Sequence, residues 1–378
     1  MEDLVNRMRN TYVGRSVFLT GHTGFKGSWM SAWLARLGAR VTGYALPAPS
    51  QPSLFALAGI EDALEAHHLA DVRDSAALEN ALRAAQPEIV FHLAAQPLVR
   101  ASYRDPATTW ATNVMGTVNL LEACRHCPSV RAIVIVTTDK CYDNKEWLWG
   151  YRESDPLGGY DPYSASKAGA ELVTASYRQA FLDQQGVLVA TARAGNVIGG
   201  GDWSEDRLLP DAARAVAGRG TLRIRHPEAT RPWQHVLESL NGYLLLGARL
   251  LAGEREFASA FNFGPEACDN QPVSEVLALL QKHWPGLNWE ADTATGAEAP
   301  HEARYLYLDS SKAKRMLSWH SRWSLSQALA ATAEWYRHVH EEPGLARHVM
   351  EYQIEQFSQD GTMPLTVKAE LADSVESA

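Results

Sequence analysis

The sequence predicts an α/β protein built on a doubly wound parallel sheet, with a smaller C-terminal α/β lobe. Short apolar runs alternate with helical patterns through the first half of the chain, which is the rhythm of β–α–β units. A glycine-rich turn separates the first apolar run from the first helical pattern. After about residue 202 this rhythm gives way to irregular segments with prolines and aromatic residues. We therefore divide the chain into a first domain (1–195), a smaller lobe from which some chain returns to the first domain (196–358), and a tail that we expect to be mobile (359–378).

Composition excludes several classes of protein. Of the 378 residues, 46% are hydrophobic and 21% are charged, as in ordinary globular proteins. The net charge is −9 and the sequence contains no basic stripe, so we expect no nucleic-acid partner. No apolar run is long enough to predict a membrane span. The four cysteines (Cys124, Cys127, Cys141, Cys268) are too few for a disulfide framework, which favours the cytoplasm. Cys124 and Cys127 are spaced like half of a zinc site, but no second pair completes it, so we expect no metal.

The glycine turn carries the first functional signal. A strand over residues 16–20 runs into TGHTGFKG, and a helix is predicted over residues 28–37. In a dinucleotide site Gly21 would permit the tight turn, Gly24 would let backbone approach the pyrophosphate, and Gly27 would let the helix pack closely. The helix N-terminus would offer free N–H groups to the phosphates. The predicted cofactor contacts in this turn are Gly21, His22, Thr23, Gly24, Phe25, Lys26 and Gly27.

The second strand, residues 40–44, departs from the usual dinucleotide pattern. Ala45 stands where an acidic residue normally holds the adenosine ribose, and residues 41–46 contain no Asp or Glu. Lys26 and His22 are therefore candidates for a ribose or phosphate contact, against the alternatives of a solvated lysine and a capping histidine. The residues alone leave NAD and NADP both open.

Later strand ends extend the predicted site, because ligands of a doubly wound sheet lie beyond the carboxyl ends of its strands. Small residues after the fourth strand (89–93) suit a backbone that passes beneath a flat cofactor. These ends add Asp71, Val72, Leu93, Ala94 and Ala95 to the cofactor site and Gln96 to the substrate site. Further strands are predicted at 132–137, 187–193 and 261–264, and further helices at 75–85, 109–123, 164–181, 239–251, 273–283, 309–317 and 324–338.

Tyr163 and Lys167 are the predicted catalytic centre. They are four residues apart and therefore share one face of a helix. A free phenol has a pKa of about 10 and is a poor base at neutral pH unless a nearby cation stabilises the phenolate. With Lys167 as that cation, Tyr163 can take a proton from a sugar hydroxyl while hydride leaves the same carbon. The spacing alone is common by chance; the glycine turn and the upstream cluster Thr138-Asp139-Lys140 favour the functional interpretation.

The motifs TGHTGFKG, HLAAQ, TTDK, YSASK and ARAGNVIGGGDW together resemble the extended short-chain dehydrogenase/reductase family over nearly all of the chain. Within it, QPSLFALAG, AAQPLVRASY and RPWQHVLE are similar to the CDP-glucose 4,6-dehydratase group. The sharpest difference is Asp139-Lys140, where the dTDP-glucose relatives place Asp-Glu. The resemblance implies an NAD-binding Rossmann domain over 1–195, a nucleotide-sugar lobe over 196–358, and a homodimer or dimer of dimers formed by the helices at 109–123 and 163–181.

The resemblance also implies a redox-neutral conversion of CDP-glucose to CDP-4-keto-6-deoxyglucose and water. Tyr163 takes the proton of the 4-hydroxyl as C4 gives hydride to NAD, Thr138 hydrogen-bonds that oxygen, and Lys167 lowers the pKa of the tyrosine. Asp139, in its neutral form, protonates the departing C6 hydroxyl, and Lys140 is the candidate for the C5 base. Hydride then returns to C6.

Two phosphates in the substrate require cations and hydrogen-bond donors. Arg231 resembles the diphosphate arginine of the family and Asn196 its companion donor, while Arg207 and His235 are further candidates.

Two alternatives stay open at this point. A nucleotide-sugar 4-epimerase would use the same Tyr–Lys pair but needs no acid and base at C5 and C6, so Asp139 and Lys140 argue against it. A noncatalytic dinucleotide-binding protein would not need Tyr163 and Lys167, and both are present.

Overall fold

The computed structural model describes residues 4–292 and 305–359, so all of the predicted mobile tail except Gln359 lies outside the described residues. The strands are Ser16–Thr20 (β1), Arg40–Ala45 (β2), Ala66–Leu69 (β3), Ile89–His92 (β4), Ala132–Val136 (β5), Leu188–Ala194 (β6), Asn196–Ile198 (β7), Thr221–Ile224 (β8), Thr230–His235 (β9), Ala260–Phe263 (β10), Asn270–Pro272 (β11) and Asn288–Ala291 (β12).

The α-helices are Leu4–Tyr12 (α1), Phe25–Arg36 (α2), Leu54–Leu57 (α3), Ser75–Ala85 (α4), Val99–Arg104 (α5), Pro106–Trp110 (α6), Gly116–Arg125 (α7), Pro162–Tyr177 (α8), Leu208–Ala217 (α9), Val236–Leu251 (α10), Val273–His283 (α11), Ser311–Leu317 (α12), Leu325–Glu341 (α13) and Ala346–Ser358 (α14). Within the part of the chain that the structure describes, no helix is both long and apolar enough to cross a membrane.

Seven strands form one parallel sheet in the order β10-β6-β5-β4-β1-β2-β3. Every residue of β1, β4, β5 and β6 is buried, because helices cover both faces of the sheet. The winding reverses between β1 and β4, which opens a crevice at their carboxyl ends. The predicted doubly wound parallel sheet is confirmed.

Several helix boundaries differ from the predicted ones, because the sequence analysis did not identify the residues that cap the helix ends. Helix α2 begins at Phe25 instead of residue 28, so part of the glycine turn is already helical. Helix α8 begins at Pro162 because the Asp161 carboxylate caps the Ser164 N–H at 2.9 Å. The helix predicted at 109–123 is interrupted by a turn of π-helix over Ala111–Met115.

The chain after residue 195 builds a smaller assembly and also returns to the large sheet. Strand β9 lies between β7 and β11 in a three-stranded sheet, and β8 pairs with β12. Strand β10 closes the edge of the large sheet beside β6. Helix α10 packs beneath β5 and β6. The sequence analysis did not predict helices α1, α3, α5, α9 and α14 or strands β7, β8, β9, β11 and β12. A strand of three to six residues has too little periodicity to be recognised.

Trp319 anchors this return of the chain. It is fully buried, its ring meets Phe263 edge-on at 5.3 Å, and its indole N–H donates to the Glu238 carbonyl at 3.1 Å.

We expect Trp319→Ala to lower the free energy of unfolding by about 3–5 kcal/mol, measured by chemical denaturation, because it leaves a large cavity. Trp149, which is 65% exposed, provides the matched control, with an expected change within about 0.5 kcal/mol for Trp149→Ala. A loss below about 1 kcal/mol for Trp319→Ala would contradict this role.

Candidate active site

A cavity of about 1500 Å³ lies along the carboxyl edge of the large sheet and continues to the smaller assembly. Eighteen of the residues predicted from sequence line it: Gly21, Thr23, Gly24, Phe25, Lys26, Gly27, Asp71, Val72, Leu93, Ala94, Ala95, Thr138, Lys140, Tyr163, Lys167, Asn196, Arg207 and Arg231. The structure thus brings the predicted cofactor, catalytic and substrate residues to one continuous space.

The glycine turn presses against the end of β4. Gly21 has a φ of +80°, and a methyl group there would lie 2.7 Å from the Ala94 nitrogen. A methyl group at Gly27 would lie 2.0 Å from the Gly21 carbonyl oxygen. Gly24 is the N-cap of α2 and has no side-chain cap, so the helix N-terminus faces the cavity with unsatisfied N–H groups. This cradle fits the pyrophosphate of a dinucleotide.

The end of the cavity beside β2 has no carboxylate on that strand, as Ala45 predicts. The Asp71 carboxylate is paired with the Arg73 guanidinium, with oxygen–nitrogen distances of 2.9–3.0 Å to Arg73 Nε. The backbone oxygen of Asp71 accepts a hydrogen bond from the Tyr44 hydroxyl at 3.0 Å. Ser50 and Gln51, in the loop after β2, also line this end and supply neutral polar groups.

Tyr163 is 8% exposed and lies near the middle of the cavity. Burial raises the pKa of its phenol to about 12, while the Thr138 hydroxyl and the Arg207 charge act in the opposite direction. Arg207, a lower-ranked candidate from sequence, is therefore placed close to the reacting phenol. Its guanidinium is held by the Asp202 carboxylate at 2.9 Å.

Lys167 is 7% exposed, and its ammonium donates to the Val136 carbonyl at 3.1 Å. Burial lowers the pKa of Lys167 to about 8, against the opposing effect of the Glu171 carboxylate. Among the charged groups that act on the Tyr163 phenol, the Arg207 guanidinium lowers its pKa and the Asp139 and Asp161 carboxylates raise it.

Asp139 and Lys140 follow β5 in a short 3₁₀ turn. The Thr138 hydroxyl donates to Asp139 Oδ1 at 2.9 Å, and the Lys140 ammonium lies 3.7 Å from the same oxygen. Lys140 also donates to Asn196 Oδ1 at 3.4 Å. Asp139 is fully buried and does not itself line the cavity; its Oδ2 has no hydrogen-bond partner among the described residues. Lys140 thus faces the cavity, with Asp139 directly behind it.

Lys26 reaches from the glycine turn toward the catalytic residues. Its ammonium donates to the Tyr243 hydroxyl at 3.3 Å. Burial, together with the charges of Arg207 and Lys167, lowers the pKa of Lys26 to about 7. Tyr243, on α10, is a residue that sequence reasoning missed, since nothing in an apolar helical segment marks one phenol as facing a distant lysine.

The part of the cavity near the smaller assembly is rich in arginine. Arg231 and Arg207 line it as predicted, together with Arg100, Arg214 and Arg225. Arg100 pairs with the Asp206 carboxylate at 3.1 Å. The sequence analysis did not find Arg100, because it lies on α5, far along the chain from the other arginines. Such a group of cations suits a diphosphate.

Three further predicted site residues, like Asp139, do not line the cavity. His22 is fully buried, with its ring 5.4 Å from Phe55 and 5.6 Å from His67, and burial lowers its pKa to about 4. His235 is also fully buried, between the rings of Trp29 and Trp323. Neither imidazole faces the cavity, because both rings pack into the core.

Gln96 is the third predicted residue that does not line the cavity. Its side chain accepts a hydrogen bond from the Leu98 N–H at 2.6 Å and donates to the Thr109 hydroxyl at 2.9 Å. These hydrogen bonds hold the side-chain amide within the loop after β4, where it stabilises the conformation of that loop. The adjacent residues Ala95 and Pro97 line the cavity instead.

Comparison with known proteins agrees with this site. Residues 18–332 match the model of the GDP-mannose 4,6 dehydratase family. A CDP-glucose 4,6-dehydratase from Salmonella typhimurium is 49% identical over 335 residues, covering 87% of this chain and 92% of that protein. A dTDP-glucose 4,6-dehydratase from Xanthomonas campestris is 29% identical over 280 residues, covering 70% of this chain and 77% of that protein.

Solved structures show the same fold. An epimerase from Methanothermobacter thermautotrophicus superposes with a TM-score of 0.75 at 22% identity, covering 91% of this chain and 97% of that one. A dTDP-glucose 4,6-dehydratase from Streptomyces venezuelae, solved with NAD bound, superposes with a TM-score of 0.71 at 25% identity, covering 88% and 99%. With its parallel sheet, its glycine cradle and its Tyr–Lys pair in one cavity, the chain belongs to the GDP-mannose 4,6 dehydratase family of extended short-chain dehydrogenases/reductases.

Proposed function

We propose that this protein is an NAD-dependent CDP-glucose 4,6-dehydratase, a hydro-lyase that forms CDP-4-keto-6-deoxyglucose and water. The observation that carries this proposal is Asp139-Lys140 at the end of β5, beside the cavity that holds Tyr163. The 49% identity to a protein named for this activity supports it. An epimerase would have no use for a second acid–base pair next to the tyrosine.

The chain's own residues would hold NAD along the carboxyl edge of β1, β2 and β4. The glycine turn and the N-terminus of α2 face the pyrophosphate, and Val72 and Leu93 lie where the adenosine half would pass. When bound, NAD supplies the acceptor of hydride from C4 and its donor to C6. With Ala45 at the end of β2, neutral groups such as those of Ser50 and Gln51 remain for the adenosine ribose.

Tyr163 removes the proton of the sugar 4-hydroxyl in the first step. Because burial raises the pKa of the phenol to about 12, the phenolate must be stabilised at the moment of transfer. Thr138 donates toward the developing charge, and the cations of Arg207 and Lys167 lie within the same enclosed space, where charge interactions are strong.

Asp139 and Lys140 perform the elimination across C5 and C6. A ketone at C4 makes the C5 proton acidic, and Lys140 Nζ, which faces the cavity, removes it. Asp139 delivers a proton toward the C6 hydroxyl, for which its unpartnered Oδ2 is available once the adjacent side chains move to admit the sugar. The hydrogen bond from Thr138 to Oδ1 keeps the carboxyl next to the tyrosine.

The smaller lobe, which we assign to residues 196–358, holds the nucleotide. Arg231 on β9 and Arg207 before α9 would bind the diphosphate, with Arg100 from the first domain opposite them. Asn196, which already accepts from Lys140, would complete the sugar end.

The test is mass spectrometry of the sugar nucleotide after incubation with NAD and CDP-glucose, beside dTDP-, UDP- and GDP-glucose. We expect loss of one water from CDP-glucose without accumulation of NADH. Tyr163→Phe should lower kcat by about 10²–10⁴-fold, because it removes the general base. An unchanged mass with a new chromatographic peak would indicate an epimerase, and no reaction with any donor would indicate a noncatalytic protein.

Lys140→Ala separates the elimination from the oxidation. We expect this variant to bind NAD normally, measured by fluorescence titration, and to lose exchange of the C5 proton with deuterium from solvent. Lys145, which is exposed and paired with Asp143, is the matched control, and Lys145→Ala should exchange normally. Normal exchange in Lys140→Ala would refute the role of Lys140 as base.

We also propose that the protein is a cytoplasmic homodimer. Its four cysteines are free thiols, which suits a reducing compartment. Trp110, Met115 and Leu172 are 42%, 52% and 61% exposed and lie on α6, the π turn and α8. A methyl group on Gly169 would lie 3.3 Å from the Trp110 ring, so Trp110 and Leu172, one turn further along α8, belong to one apolar surface. Exposed surfaces of this kind mark protein–protein contacts.

Light scattering tests this surface. We expect a molar mass of twice 41.6 kDa for the protein and 41.6 kDa for Leu172→Asp. Dimerisation of the variant would bury an unpaired carboxylate in an apolar interface, and the cost of removing that charge from water prevents it. Leu148, which is 87% exposed on another loop, gives the control Leu148→Asp, expected to keep the dimer. A monomeric wild-type protein, or a dimeric Leu172→Asp, would contradict this interface.

A further inference from the structure

Glu171 is a buried carboxylate one helical turn beyond Lys167 on α8, outside the cavity. It is 4% exposed. Its Oε1 accepts a hydrogen bond from the Thr137 hydroxyl at 2.5 Å, and its Oε2 accepts one from the Thr191 hydroxyl at 2.7 Å. Thr137 stands between β5 and the catalytic Thr138. Glu171 therefore ties the helix that carries Tyr163 and Lys167 to the strand end that carries Thr138.

Arg193 completes this network. Its guanidinium donates to Glu171 Oε2 at 2.8 Å, and the two side chains are 4% and 3% exposed. It also donates to the Tyr142 hydroxyl at 2.8 Å and to the Glu153 carbonyl at 3.2 Å. Apolar residues of similar volume often stabilise a core as well as a buried ion pair does. The presence of a charged pair here therefore needs a reason other than stability.

The charges around Lys167 supply that reason. The groups that face its ammonium are Glu171 on its own helix, the Val136 carbonyl on β5, Cys141 after β5, His92 at the end of β4 and Lys26 in the glycine turn. Burial raises the pKa of the Cys141 thiol and lowers the pKa of His92 to about 3, so both are neutral near pH 7. Among these groups Glu171 is the one that carries a negative charge.

We propose that Glu171 is a positioning residue of the reaction, which acts as the buried counter-ion that keeps Lys167 charged and fixes the strand end bearing Thr138 against the Tyr163 helix. The proposal rests on the proposed function only in that Lys167 acts there as a cation. Glu171 touches neither substrate nor cofactor space, since it does not line the active-site cavity.

The experiment measures the charge of Lys167 directly. The protein is labelled with carbon-13 at lysine Cε, and the resonance absent from Lys167→Met is followed against pH. In the wild-type protein the midpoint is expected near the pKa of about 8. In Glu171→Gln it should fall by at least about one pH unit, because an opposite charge at this range favours the cation by that much or more. The cation is lost as pH rises through the pKa, so the alkaline limb of kcat for CDP-glucose should move to lower pH by the same amount.

Four variants separate this role from a structural one. Glu171→Gln leaves Arg193 without a carboxylate and should melt at a lower temperature; Glu171→Gln with Arg193→Met should recover much of the stability and still show the lowered midpoint. Glu171→Asp keeps the charge and should keep the midpoint, with a reduced kcat because its reach is shorter. Glu153→Gln, at a nearby partly buried carboxylate that accepts the Asn262 N–H, should change neither the Lys167 midpoint nor kcat.

A Lys167 midpoint that stays in place in both Glu171→Gln and the double variant would overturn the proposal, as would an equal shift in Glu153→Gln. The resonance titration needs no substrate. If the wild-type protein leaves CDP-glucose unchanged, only the proposed function is refuted. The midpoint of the Lys167 titration then still tests the role of Glu171.

Discussion

The close approach of backbone at the crevice between β1 and β4 is the constraint on which the site depends. Gly21 lies against the Ala94 nitrogen, and Gly27 lies against the Gly21 carbonyl, at distances where no side chain fits. This contact brings the N-terminus of α2 to the carboxyl edge of the sheet. The residues after β5 and on α8 that we propose to be catalytic lie along that same edge, so they and the glycine cradle open into one cavity.

Burial sets the electrostatics of that cavity. It raises the pKa of Tyr163 and lowers the pKa values of Lys167 and Lys26, so it opposes the ionised form of each of these three groups. The chain compensates with specific neighbours: Arg207 beside Tyr163, and Glu171 beside Lys167. These neighbours come from different elements, and in an enclosed space each is worth more than an exposed pair of charges.

The smaller assembly is tied to the large sheet by aromatic packing. His235, at the end of β9, lies between Trp29 of α2 and Trp323, and Trp319 covers Phe263 of β10. This packing explains why a histidine in a motif-like segment proved to be core. The arginines of β9 and of the segment before α9 line the same cavity as the residues that we propose to be catalytic.

The amino-acid sequence was sufficient to predict the parallel sheet, the glycine cradle and the face shared by Tyr163 and Lys167, because these follow from short-range spacing and from the periods of strands and helices. It also predicted 18 of the residues that line the cavity, since residues after parallel strands meet at one edge. Which other side chains turn into that cavity depends on the tertiary fold. Arg100, Tyr243 and Glu171 act across long separations in the chain, and His22, Gln96 and His235 turn away from the cavity into packed or hydrogen-bonded positions. Burial and hydrogen bonding between distant segments set those orientations, and no local pattern encodes them.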